Sequence, residues 1–236
     1  IKDVNDLTAA LKKQGITHIN GHVYADYGIY ETQGLGPGWV WNDTKYCFSA
    51  PINATILNQN CLNVQVAPGA VNGPLKIIPN EASQSVTLIN NATTANANKK
   101  GCYPSLHSDP KTSHDSNTYV LEGCIRATSK PMTLSIPVTH PEAFAIQVVQ
   151  HSFQRSGITL SEPVQAGSTA EPIPVLAEHS SKTLNLLVKT MLKESDNLIS
   201  DALFKRLGYT YYSHGTWTTG SMAVRKILSQ KVPFNL

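Results

Sequence analysis

The chain reads as an α+β protein: an α/β-unit domain assembled from two separated chain segments, a β-rich insertion between them, and a helical segment at the end. Three observations carry this. Gly15-Ile16-Thr17 and Gly157-Ile158-Thr159 occupy the same place in two helix-then-strand units. Strand-like runs broken by Pro, Gly and Asn fill the stretch between those units. After residue 178 the apolar spacing changes to three and four, the period of a helix with one buried face. The expected division is therefore residues 1–48 and 136–178 for the two parts of the α/β domain, 49–135 for the insertion, and 179–236 for the helical segment.

The first unit opens with DVNDLTAALKKQG, an amphipathic helix with Asp3 or Asp6 near its start, Leu7 and Leu11 on one face and Gly15 as its stop. ITHINGHVYAD follows as extended chain. His18 and His22 have the spacing of a helical metal pair, but Asn20-Gly21 between them signals a turn, so they are expected to be surface histidines. The second unit, PEAFAIQVVQHSFQRSG, has Pro141 at a first helical position and Phe144, Val148 and Phe153 as core candidates, ending at Gly157.

In the insertion, CLNVQVA, LKIIP, QSVTLI, NTYVLEGCIRA and MTLSIPV are the expected strands. NNATTANANKKG, residues 90–101, is polar and repetitive and is expected to be an exposed loop. Asn42, Asn53 and Asn91 begin Asn-x-Ser/Thr sequons, which matter only in a eukaryotic secretory setting. Residues 167–178 have the proline and small-residue content of a crossover. Helices are then expected over 182–193, 198–207 and 221–230.

Within residues 180–208, Leu184, Val188, Met191, Leu198 and Ala202 form an apolar stripe, and Ser195 lies on it. Ser181 can cap the start and Gly208 can stop the end. A buried hydroxyl or amide costs about 1 to 3 kcal/mol unless partnered, so the triplet Ser195-Asp196-Asn197 calls for an explanation. The plainest one is a helix–helix junction in which Ser195 or Asn197 caps the second helix.

Composition narrows the classes. The 236 residues are 41% hydrophobic and 15% charged, with a formal charge of +3. That charge is not gathered into a basic face, so there is no nucleic-acid footprint. No apolar run approaches the ~20 residues of a transmembrane segment, and IKDVNDL is no signal sequence, which fits a mature or trimmed secreted product. Cys47, Cys61, Cys102 and Cys124 have neither Cys-x-x-Cys nor zinc-finger spacing, so no metal or other cofactor is expected. Of the three possible connectivities, the two local disulfides Cys47–Cys61 and Cys102–Cys124 would staple neighbouring strands and imply an oxidising compartment. Four reduced core cysteines are the alternative.

The wording MLKESDNLISDALFKRLG followed by GTWTTGSMAVRKIL closely resembles the second active-site motif of the class C low-molecular-mass penicillin-binding proteins, the penicillin-binding protein 4 type of D-Ala-D-Ala carboxypeptidase/endopeptidase. GPGWVWNDTKYCFSAP, residues 36–51, and the placement of the four cysteines resemble the same family. The resemblance covers almost the whole chain. It implies that the helical segment is part of an incomplete serine β-lactamase/transpeptidase-like domain and that the compartment is the periplasm.

The family's chemistry is acyl transfer by a serine activated by a base, from the motifs SxxK, SxN and KTG. The resemblance makes Ser195 a proton shuttle and Asn197 the amide that binds the peptide carbonyl and orients the lysine. It makes Asp43 and Phe48 a clamp for the amine-bearing side chain of a stem peptide. Trp39 and Trp41 are expected to plug a domain interface. Ser108-Asp109-Pro110-Lys111 spells SxxK, but Pro110 disrupts the helical turn the pair requires. Lys111-Thr112-Ser113, Lys182-Thr183-Leu184 and Lys189-Thr190-Met191 lack the glycine of KTG.

The chain is accordingly expected to be an internal fragment, inactive alone, of an enzyme that acts on peptidoglycan stem peptides and is acylated by β-lactams. A non-catalytic periplasmic cell-wall binding module is the alternative. A secreted β-rich adhesion module rests on the insertion alone.

Overall fold

A computed structural model describes residues 1–102, 106–110, 117–169 and 174–231. The architecture is α+β. Helix α1 (Lys2–Lys13) carries Asp3 in its first turn and Lys12 and Lys13 in its last, complementing the helix dipole. Its N-cap is Ile1, and the residue it buries is Thr8 rather than Leu7 or Leu11. The reason is a polar contact. Thr8 Oγ1 lies 2.8 Å from Ser152 Oγ on α2 (Pro141–Arg155) and accepts a 2.8 Å bond from Ser156.

Strand β1 (His18–Ile19) pairs in parallel with β11 (Thr159–Leu160), and β2 (Tyr24–Ala25) with β12 (Gln165–Ala166). Residues 141 positions apart thus share one ladder, as at His18 and Thr159. Helix α2 begins on Pro141 and buries Phe144, Val148 and Phe153. Phe153 packs with Ala25, Ile158 and Val164, whereas Phe144 and Val148 enter the larger core of the β-rich region. One helix therefore belongs to both apolar clusters and fixes them against each other.

In the β-rich region, β3 (Cys61–Ala67) lies between β10 (Met132–Pro137) and β4 (Lys76–Ile78), all antiparallel. Leu62, Val64 and Val66 of β3 point inward at period two. A second sheet orders β5 (Thr87–Asn90), β8 (Thr118–Glu122) and β7 (His107–Pro110). Tyr119 of β8 is fully buried, with its hydroxyl donating to the Pro137 carbonyl at 2.9 Å.

The expected loop at residues 90–101 is corrected in its first half, while residues 96–101 are exposed and outside any strand: β6 (Thr93–Ala95) pairs in parallel with β9 (Cys124–Arg126), and Ala92, Thr94 and Ala95 are buried. Thr94 Oγ1 accepts from the Gly69 amide at 2.7 Å, so polar residues here have partners the local sequence does not reveal. The run NTYVLEGCIRA is split at Gly123, which has a φ of 98°. The disulfides are Cys47–Cys61 and Cys102–Cys124.

The last segment holds α3 (Leu184–Glu194), α4 (Asn197–Tyr212) and α5 (Trp217–Lys231). The N-cap of α3 is Thr183, not Ser181. Its stripe is only partly buried: Leu184 is 63% exposed, whereas Val188 and Met191 are half-buried. Gly208 does not end a helix. It is buried inside α4, where a Cβ would stand 2.5 Å from Thr219 Oγ1, so its role is close approach to α5. Part of the crossover, residues 170–173, lies outside the described residues, as do Lys111-Thr112-Ser113. No described helix is long and apolar enough to cross a membrane.

Candidate active site

The Ser195-Asp196-Asn197 triplet is a sharp break between two helices. Ser195 ends α3 in the left-handed conformation, φ 53° and ψ 45°. Asp196 starts α4, its Oδ1 accepting from the Ile199 amide at 2.9 Å. The cap expected of Ser195 or Asn197 thus falls on Asp196, whose carboxylate also suits the positive end of the helix dipole. Ser195 is exposed instead of lying on a buried stripe, because the left-handed turn takes it off the helical repeat. Asn197 is the first residue of α4, and its side-chain amide donates to the Phe48 carbonyl at 3.0 Å.

Asn197 is met by the segment that begins in the turn Trp41–Asp43 and continues through Cys47–Ser49. Ser49 holds this segment together by donating to the carbonyls of Asp43 and Tyr46. The Phe48 ring stacks on Tyr46 at 5.3 Å between centroids and tilts against Trp39 at 6.1 Å. Trp41 is 83% exposed and plugs no interface among the described residues, because the tight turn it starts directs it away from the ring cluster.

Together these elements form a cleft of about 210 Å³ lined by Ser195, Asn197, Phe48, Gln59 and the disulfide pair Cys47 and Cys61. Asp43 lies upstream in the same segment and is not among the lining residues. Its side chain has no hydrogen-bond or ion-pair partner among the described residues. The second disulfide, Cys102–Cys124, is buried with Ala95 in the β-rich region.

Gln59 was not visible as a site residue in the sequence. Asn58, Gln59 and Asn60 all have positive φ, between 47° and 57°, a conformation disfavoured for side-chain-bearing residues. Asn60 holds the turn: its Oδ1 accepts from Leu57 N at 3.2 Å and its Nδ2 donates to Pro51 O at 2.9 Å. Gln59 Nε2 then reaches Asp196 Oδ2 at 3.3 Å. The run of Asn and Gln was the available signal, since asparagine tolerates this region best.

Behind α4, Lys205 is fully buried. It donates to the Gln33 carbonyl at 2.6 Å, pairs with Glu31 at 3.2 Å, and stands 4.6 Å from the Trp217 ring centroid. Glu31 Oε1 also accepts from the Trp217 amide at 2.6 Å. Burial lowers the Lys205 pKa, and the Glu31 hydrogen bond opposes that shift. Asp201, one helical turn after Asn197, has its carboxyl pushed up to about 6 by burial, with Lys205 acting in the opposite sense.

The partial matches to SxxK and KTG contribute no site among the described residues. Ser108, Asp109 and Pro110 lie on strand β7, so no helical turn joins Ser108 to a lysine, and Lys111 lies outside the described residues. Lys189 and Thr190 are inside α3.

Residues 1–233 match the D-Ala-D-Ala carboxypeptidase 3 (S13) family, and the chain belongs to that family. It is 32% identical over 226 residues to the D-alanyl-D-alanine carboxypeptidase DacB of Haemophilus influenzae, covering 95% of this chain and 46% of that protein. It is 26% identical to the D-alanyl-D-alanine carboxypeptidase of an Actinomadura species, covering 97% of this chain and 43% of that one. The crystal structure of penicillin binding protein 4 (dacB) from H. influenzae superposes with a TM-score of 0.78 at 30% identity, over 97% of this chain and 50% of that chain. The same protein complexed with a novel β-lactam gives a TM-score of 0.74 at 29% identity, over 97% of this chain and 48% of that chain. The chain thus spans about half the length of the curated relatives it matches.

Proposed function

We propose that the chain supplies the SxN element and the side-chain pocket of a serine-type D-Ala-D-Ala carboxypeptidase/endopeptidase acting on peptidoglycan stem peptides. The observation that carries this reading is the division of labour in the triplet. Asp196 does the capping, so Ser195 and Asn197 are not needed to start α4, yet both line the cleft beside it. In acyl transfer a hydroxyl so placed relays a proton toward the leaving group, and an amide so placed binds the substrate carbonyl. Family membership supports the same chemistry.

Asp43 and Phe48 would receive an amine-bearing side chain, the carboxylate by charge and the ring by apolar contact. The chain would divide at residues 1–48, 49–135, 136–178 and 179–236, with the last part completing a transpeptidase-like domain. Two disulfides fit an oxidising setting, and the periplasm is the compartment in which such a substrate is met.

On this reading no described residue supplies the nucleophilic serine together with its lysine, and the chain alone is expected to take no acyl group. Incubation with penicillin followed by intact-mass measurement tests this. No adduct should form on the 236-residue chain, and a stoichiometric adduct should form on an enzyme of full family length that contains it. An adduct on the short chain, or none on the long one, overturns the proposal.

A further inference from the structure

Three side chains able to ligate a metal lie together on the β7–β8 edge, away from the SxN cleft. His107 and Glu122 are direct partners in the antiparallel register, and Asp109, two residues beyond His107, projects from the same face. His107 Nε2 lies 3.2 Å from Asp109 Oδ2 and 4.0 Å from Glu122 Oε2. One ligand atom from each of the three falls within 4.8 Å of the other two, and no other such group occurs among the described residues. His107 and Asp109 also line a groove of about 460 Å³ together with Lys45 and Tyr46. Lys45, the cation in that lining, holds its ammonium 5.4 Å from the Tyr46 ring centroid.

We propose that His107, Asp109 and Glu122 bind one divalent transition-metal ion of the zinc type at this sheet edge. Ligand atoms about 2.0 to 2.2 Å from a shared ion stand roughly 3 to 4 Å apart, the range of the two His107 contacts. Two carboxylates around one imidazole leave net negative charge that a divalent ion balances. The imidazole selects a borderline ion over magnesium or calcium, which take oxygen ligands. Three protein ligands leave a coordination position open for a further ligand. The ion would also tie β7 to β8 across the ladder and so order the sheet edge.

Calorimetric titration of the metal-free 236-residue chain with Zn²⁺ tests the site, with Co²⁺ absorption reporting coordination geometry. One equivalent should bind, and excess Mg²⁺ should not displace it. His107→Ala, Asp109→Asn and Glu122→Gln should each weaken binding by at least about tenfold. All three side chains are about half exposed, so these substitutions leave the core untouched. Imidazole-selective NMR of the unmodified chain reads the same outcome without substitution, since zinc must shift the ring signals of one histidine. No binding by the unmodified chain, equal binding by His107→Ala, or displacement by Mg²⁺ overturns the proposal.

Discussion

The side-chain amide of Asn197 donates to the backbone carbonyl of Phe48 at 3.0 Å, across 149 positions of sequence. This bond sets the first residue of α4 against the aromatic segment. A second strap, Gln59 to Asp196, comes from the far side of the Cys47–Cys61 disulfide. The cleft is thus closed by contacts from both ends of one stapled loop.

Replacing Cys47 and Cys61 together by alanine opens a loop with a sequence separation of 14. Loss of that constraint should lower stability by about 3 kcal/mol in the chain-entropy model. Urea denaturation of the two proteins measures it, and coincident curves would remove the staple from the account.

Asp196→Ala removes the side-chain cap of α4 and should cost about 1 kcal/mol. Ser195→Ala, which deletes only an exposed hydroxyl, should stay within about 0.5 kcal/mol of the parent. Thermal unfolding of both variants distinguishes them. The reverse ranking would return the cap to Ser195.

Asp201 has a folded-state carboxyl pushed up to about 6 from the ordinary 3.8. The folded chain therefore holds this proton more tightly than the unfolded chain. Its contribution favours folding below about pH 4, and that contribution is lost as pH rises through 6. After discounting for partial exposure, the loss should be about 1 to 2 kcal/mol. Asp201→Asn should flatten this part of the stability profile between pH 4 and 7. Parallel profiles for the two proteins would show that Asp201 is not so perturbed.

If Asp43 binds an amine by charge, Asp43→Asn in an enzyme of full family length should slow turnover of peptides with a free side-chain amine by about tenfold or more, relative to neutral analogues. Competition between the two substrates gives the ratio directly. Equal losses on both would leave Asp43 a structural residue.

The legible part of this protein was written in local patterns. Pro141 opens α2, Phe144, Val148 and Phe153 are buried on it, and the paired Gly-Ile-Thr segments lead into the strands that join in parallel. What was misread depended on partners distant in sequence. Thr94 looks like loop until Gly69 donates to it, and Gly208 looks like a stop until α5 crosses beside it. In the site, the sequence pointed to Ser195 and Asn197 but not to the neighbours that organise them. The left-handed turn at Gln59 and the buried Lys205 between Glu31 and Trp217 are set by tertiary packing, which leaves only a run of polar residues in the sequence.

The central claim is that Ser195 and Asn197 act in chemistry rather than in folding. The direct measurement is β-lactam acylation and D-Ala-D-Ala peptide turnover by Ser195→Ala and Asn197→Ala in an enzyme of full family length, with melting temperatures recorded alongside. Ser195→Ala should keep its melting temperature while turnover falls by two or more orders of magnitude, about 3 kcal/mol of transition-state stabilisation. Asn197→Ala should impair both acylation and turnover. Folded variants with near-normal rates in both assays would contradict the assignment and leave the triplet a helix junction alone.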